Sequence, residues 1–312
     1  MTAVPHTPEH DRTALGILCM LGFCILAPMM DAFAKATPSE VPLGQILAAR
    51  FTVQAAILVP LAWLAGLGGW PSRRDIMLHL GRGFALLAAT GCFFAAIRHM
   101  PIADALAIFF VEPFILTLMG AVFLKEAVGW RRLAACATGF AGALLVIRPG
   151  LGDLGLVTLL PLGTALLFAV YMLLTRSMSQ RLHPVALQAH TALAACLLIL
   201  PPLVLMDGSG SALFDPILPE GRALWTLAGV GVIATVSHLF ITLALRFAPA
   251  ATVAPLQYLE IVGATVIGFF AFGDFPEPLT WVGIAVIVAS GLYVFARERA
   301  RGTPVDRPPP AP

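Results

Sequence analysis

Apolar runs of roughly 18 to 22 residues recur from end to end of this chain. No other feature restricts the fold as much, because a helix needs about 20 apolar residues to cross the hydrocarbon of a bilayer. Ten spans are expected, near residues 14–34, 44–66, 83–97, 102–123, 131–147, 155–175, 185–206, 223–245, 250–272 and 279–296. Most links between them are short and carry turn residues, as in "TPSEVP", "RHMP", "KEAVGW", "RPGLGD" and "RFAP". The longest link, "DGSGSALFDPILPEG" at 207–221, is too polar and broken to cross. Composition agrees: the chain is 59% hydrophobic and 12% charged, where a soluble domain has about 45–50% and about 25%. The reading is an all-α, polytopic membrane protein.

Lys and Arg set the orientation. With the N-terminus taken as cytoplasmic, 14 of the 19 fall in cytoplasmic segments, among them Arg73, Arg74 and Arg82 ahead of the third span. Four fall on the other side (Lys35, Arg98, Arg148 and Arg222), and Arg50 lies within a span. That asymmetry is the positive-inside pattern. Both termini are therefore expected on the cytoplasmic side, in a bacterial inner membrane. The net charge of +2 reports topology, and no nucleic-acid partner is expected. No cleavable signal is expected either: the first span is too long, and "MTAVPHTPEHDRT" before it is hardly basic. The tail "GTPVDRPPPAP" is Pro-rich and expected to be disordered. Cys19, Cys24, Cys92, Cys136 and Cys196 all fall in spans without a CxxC pair, so no metal or other cofactor is expected.

A carboxylate interrupts the fourth span in "AIFFVEPFIL" (Glu112), and another interrupts the ninth in "PLQYLEIVGA" (Glu260). A shift of 148 residues superimposes them. Gly81 then meets Gly229, Gly83 meets Gly231, Arg98 meets Arg246, and Pro101 meets Pro249. Nine of the 44 columns from 81–124 against 229–272 are identical. A weaker echo at a shift of 140 sets Arg50 opposite His190. The chain therefore reads as two five-span repeats. Five is odd, so the second copy enters the membrane from the other side and the halves are inverted. Secondary transporters are built this way, with the substrate site near the midplane between repeats. Each glutamate lies about eleven residues into its span, near the bilayer centre at 1.5 Å rise per residue.

These marks resemble the EamA-domain family of the drug/metabolite transporter superfamily. The local ones are "DAFAK", an early Arg in the second span, "VEPFILTLMGAVFLKE" and "GWRRLAACATGFAGALLVIRPG". The second copy is looser, with Asp274 where the first has Glu126. The expected organisation is a tail at 1–13, EamA units at 14–148 and 149–298, and a tail at 299–312. The resemblance implies a ten-helix bundle with the fifth and tenth helices peripheral and a cavity lined by the others. It also implies transport of small organic solutes, among them S-adenosylmethionine-like and riboflavin-like ones.

The candidate substrate or coupling residues follow from cost. An ionisable group at the bilayer centre costs about 2.5–3.5 kcal/mol, so it faces a cavity or a partner. Glu112 and Glu260 are read either as a substrate or proton site or as structural hydrogen-bonding groups. Pro113 is expected to break the helix beside Glu112. Gln257 and Tyr258 flank Glu260. Arg50 is read as a ligand for a substrate carboxylate, as the ion-pair partner of Glu112 or Asp31, or as a snorkelling side chain. His190 is read as packing, and His238 as deeper and titratable near neutral pH. Asp31 and Lys35, four apart, are expected to pair on one helical face, or Asp31 serves as a vestibule residue. Phe94 and Phe110, with Phe93 and Phe109, suggest an aromatic lining. Glycines in the fifth and tenth spans suggest a homodimer. The expected partners are the lipid bilayer and a small amphoteric or aromatic solute, such as an amino acid, a nucleoside derivative or a vitamin. HExxH and GxxxxGK[ST] are absent, as is a Ser with His and Asp at one depth. This argues against an enzyme. A passive channel is the other alternative.

Overall fold

The computed structural model describes residues 9–67, 71–123, 130–147, 155–179, 182–248 and 254–300. The expectations about the disordered tail after Arg301, about the links holding Lys125, Glu126 and Arg148, and about Pro249 fall outside these residues.

Every regular element described is helical: α1 (Glu9–Ala36), α2 (Leu43–Leu64), α3 (Arg73–Ile97), α4 (Ile102–Phe109), α5 (Glu112–Phe123), α6 (Trp130–Ile147), α7 (Leu160–Ser179), α8 (Pro184–Leu205), α9 (Arg222–Phe247), α10 (Glu260–Phe272) and α11 (Pro278–Ala300). Single 3₁₀ stretches, Gly155–Leu159 and Ala254–Leu259, lead into α7 and α10. Together α4 and α5 make one pass, so the chain crosses ten times. Seven passes are long apolar helices and three are shorter ones. The 207–221 link is no span, as expected.

The third pass begins ten residues earlier than expected, at Arg73. Ser72 caps it by accepting from the Asp75 amide at 3.2 Å, which starts the helix inside the polar stretch. Arg82 thereby moves from a cytoplasmic link into a buried helix face. In the fourth pass Pro113 lacks the N–H that would bond the Phe109 carbonyl, and the helix is interrupted at Phe110–Val111. Glu112 opens the next helix. Glu260 likewise opens α10 after its 3₁₀ stretch. Both mid-span carboxylates thus stand at breaks in their passes.

The halves are antiparallel. Met100, before α4, and Asp274, after α10, meet the same Lys35 amine, while deeper in the bundle Phe110 stacks edge-on against Tyr258 at 5.1 Å. The start of the fourth pass therefore lies by the end of the ninth. Phe110 and Tyr258 are mates under the 148-residue shift, so the pseudo-two-fold axis runs between them. The pairing of passes is unchanged when the halves are exchanged. α1 packs on α9 as α7 packs on α3; α2 packs on α9 as α8 packs on α3; α1 packs on α10 as α7 packs on α4 and α5.

The repeated glycines have a steric cause. A Cβ on Gly83 would lie 2.7 Å from the Ala194 methyl, and one on Gly231 would lie 2.5 Å from Val53 Cβ. These are the symmetric crossings of α3 with α8 and of α9 with α2. α6 and α11 pair with each other, backbone on backbone: a Cβ on Gly142 would sit 3.0 Å from the Gly283 carbonyl oxygen. Gly139 instead leaves room for the Phe114 ring on α5. The glycines that suggested a homodimer are thus occupied within one chain and supply no argument for one.

Candidate substrate site

Pro28 in α1 leaves the Cys24 carbonyl without its helical donor. α10 approaches there, and a Cβ on Gly263 would stand 2.6 Å from that oxygen. Cys24 Sγ also donates to the Leu256 carbonyl at 3.3 Å. This close fit sets Glu260, one turn before Gly263, against the middle of α1, on the flank that carries Ala27 and Asp31. A cavity of about 1160 Å³ begins here. It extends to Leu182, His183 and Pro184 at the α7–α8 link and to the exposed Arg246 near the end of α9.

One wall is charged and polar. It carries Asp31 from α1, Arg50 from α2, Ser237 and His238 from α9, Gln257 from the 3₁₀ stretch and Glu260 from α10. Asp31 is 3% exposed, Arg50 2% and Glu260 5%, so each is held away from water within the bundle. Asp31 is the charged neighbour of both Arg50 and Glu260. A second part of the lining is aromatic. Phe93, Phe109, Phe168 and Tyr171 form an edge-linked series with ring centroids 5.3–6.3 Å apart.

Arg50 pairs with no carboxylate among the described residues, which sets aside the ion-pair alternative and leaves the substrate-ligand reading open. Its Nη1 donates to the Thr90 hydroxyl, and its Nη2 lies 3.3 Å from His238 Nε2. Thr90 and His238 are mates under the repeat, so the guanidinium bridges the two halves. It also lies over the rings of Phe51, at 4.9 Å, and Phe94, at 6.0 Å. His238 Nδ1 sits 2.9 Å from the Ala234 carbonyl. Its Nδ1–H donates there and its Nε2 accepts from Arg50, which fixes a neutral imidazole. His190, Arg50's mate, stacks on His79 with centroids 4.8 Å apart and bonds the Ala186 carbonyl.

Two further expectations change. Asp31 does not pair with Lys35. The Lys35 amine instead donates to Asp274 and, at 3.0 Å, to the Met100 carbonyl, while Asp31 lines the cavity. Glu112, Phe110 and Tyr258 do not line the cavity, whereas Pro113 does. Glu112 stands behind the wall as the charged neighbour of Tyr258. Among the described residues the acidic side chains of the chamber are thus Asp31 and Glu260. Asp104 lies in the first turn of α4, outside the chamber.

Sequence reasoning missed Arg82. It is fully buried and lines the cavity. Its Nε donates to Thr175 at 3.0 Å, its Nη1 to Thr191 at 2.6 Å and the Leu187 carbonyl at 3.2 Å, and its Nη2 to Tyr171 at 3.2 Å. The signal available was an Arg, with two glycines beside it, immediately before an apolar run.

The cavity is closed at the other end. There Lys35 holds Asp274, Arg98 donates to the Val41 carbonyl at 2.7 Å, and the 207–221 link docks on α2 through Gly44, whose amide donates to the Leu213 carbonyl at 2.9 Å.

Ten passes in two inverted halves around a chamber of mixed polarity define a membrane transporter of small molecules. The chain belongs to the EamA-like transporter family, whose pattern matches residues 14–148 and 155–296, within the drug/metabolite transporter superfamily. It is 29% identical to a riboflavin transporter of Rhizobium johnstonii over 94% of this chain and 95% of that protein. It is 29% identical to a riboflavin transporter of Vibrio cholerae over 89% and 92%. An S-adenosylmethionine uptake transporter of Rickettsia felis is 21% identical over 86% and 88%. One crystal structure shares the fold with a TM-score of 0.63, at 18% identity over 94% of this chain and 99% of the other. The protein is thus a multi-pass small-metabolite transporter and not an enzyme.

Proposed function

We propose that this transporter carries a planar heteroaromatic metabolite of the flavin class across the bacterial inner membrane by alternating access. The carrying observation is the two-faced chamber. An aromatic wall suits the face of a fused ring system, and the wall of Asp31, Arg50, His238, Gln257 and Glu260 suits its polar edge. Ligand pockets combine apolar surface with a few placed polar groups in this way. The names of the riboflavin relatives support the same solute class. On this reading 14–148 and 149–298 are the two moving units, both termini are cytoplasmic, and the mouth at His183 and Arg246 faces the cytoplasm.

Counterflow of labelled riboflavin in proteoliposomes tests the reading. Saturable exchange that returns riboflavin unchanged is expected. Flux that rises linearly with concentration makes the protein a channel, and a folded protein without counterflow removes the flavin class. The mixture of Asp31, Glu260 and Arg50 favours a second reading, an amphoteric solute. Competition by S-adenosylmethionine, but not by riboflavin, selects it.

A further inference from the structure

We propose that Asp31 and Glu260 act as one carboxylate pair sharing the single counter-charge of Arg50, and that this pair, not Glu112, takes up and releases the proton that couples transport. The coupling arm of this inference rests on the flavin reading above. The pair itself rests on geometry.

Asp31 and Glu260 reach one cavity from α1 and α10. Asp31 Oδ1, Glu260 Oε2 and Arg50 Nε each lack a hydrogen-bond partner among the described residues. No ion pair joins these three among the described residues, whereas Lys35 pairs with Asp274. Arg50 and Glu260 are the charged neighbours of Asp31, and the other charged or titratable groups named next belong to elements that pack on α1 or line the cavity. α2 supplies Arg50, α9 supplies His238 and, toward the mouth, Arg246. The 3₁₀ stretch and α10 supply Tyr258 and Glu260, α4 supplies Asp104 in its first turn, and α3 supplies Arg82. Lys35, one turn along α1, is committed to Asp274.

The charges do not balance locally. Two carboxylates face one guanidinium, and His238 is held neutral by its two bonds. Arg82 stands eight residues from Thr90 on α3, about 12 Å along the helix, and is bonded to four neutral groups. One negative charge is left over in a water-poor site, where an uncompensated charge is costly. A flavin-class solute brings no fixed cation to offset it. A proton does. It arrives from water at the mouth, adds to a carboxylate oxygen of the pair, and leaves from the same oxygen after access has changed. Only an O–H bond is made and broken. Glu112 has no such route, because it lies behind the cavity wall.

Two measurements on the full-length protein test this. The first needs no substrate: infrared titration of the protonated-carboxyl carbonyl band in nanodiscs. One titrating carboxyl is expected. Its band is lost in Asp31→Asn and equally in Glu260→Gln, since either change leaves one carboxylate with Arg50, and it persists in Glu112→Gln. A band that survives both substitutions in the pair, that disappears in Glu112→Gln, or that is absent from the wild type overturns the proposal. Using two substitutions, each checked for monodispersity, keeps the test decisive if one variant does not fold. The second compares riboflavin accumulation driven by a pH gradient with riboflavin exchange. Their ratio is expected to fall at least tenfold in Asp31→Asn. Wild-type exchange without any gradient response overturns the coupling and leaves the flavin reading intact. Absence of exchange removes the flavin reading, while the infrared band still decides the pair.

Discussion

Lys35→Met should open the closed end of the transporter. The Lys35 amine holds Asp274, accepts shielding from the Phe272 ring at 5.0 Å, and donates to the Met100 carbonyl. It ties α1 in the first half to the α10–α11 link in the second. The side chains are 15% and 27% exposed, so the pair is neither a free surface pair nor a fully buried one. Exposed pairs contribute about 0–1 kcal/mol and breaking a buried one costs about 3–5 kcal/mol. A cation–π contact adds about 0.5–1 kcal/mol. For this intermediate site about 1–2.5 kcal/mol is a reasonable sum, which is about a 5- to 70-fold shift toward the open form. The assay is the labelling rate of Met30→Cys, a cavity-lining position, by an impermeant maleimide added from the far side in a cysteine-free background. The rate should rise by that factor in Lys35→Met and fall back in the exchanged pair Lys35→Asp with Asp274→Lys. An unchanged rate in a folded Lys35→Met protein refutes the view that this pair holds the end shut.

Gly83→Ala should lower the melting temperature in detergent, because its Cβ would meet Ala194 Cβ at 2.7 Å and the Ala195 amide at 2.9 Å, an overpacking cost of about 1–3 kcal/mol. Gly91→Ala, whose Cβ meets only Leu47 at 3.4 Å, should be tolerated by the same measurement. Arg82→Lys keeps the charge but not the four-way fork, and should also lower the melting temperature by several degrees, since lysine presents its donors from a single point. Phe109→Ala should weaken flavin binding, read by fluorescence quenching, by about 2- to 13-fold, the loss of one aromatic contact of about 0.5–1.5 kcal/mol.

The passes and their inversion were legible because span length and odd repeat number are properties of the chain itself. Pro113 located the break beside Glu112 for the same reason, whereas the break before Glu260 became visible only in the structure. Helix rotation was not legible. Depth placed both glutamates at mid-membrane, but depth does not say which face of the pass looks inward, and only Glu260 does. The halves take different shapes whenever one end is open, so repeat mates need not share an environment in any single conformation. Lys35 and Asp274 are 239 residues apart in the chain, and local spacing therefore favoured Asp31 as the partner. Arg82 was lost because a polar prefix, "RRDIMLHLGR", hid the first turns of a helix whose cap is Ser72.

Arg82 has no twin: 148 residues on stands Val230. Four donors that clasp α7 and α8 beside the cavity mouth consequently have no matching clasp around α1 and α2. On the alternating-access proposal the two postures are therefore unequally deep wells, and an empty protein waits longer in one of them. A single unmatched side chain can in that way bias which end the empty protein leaves open, while the gradients still set the net direction of flow.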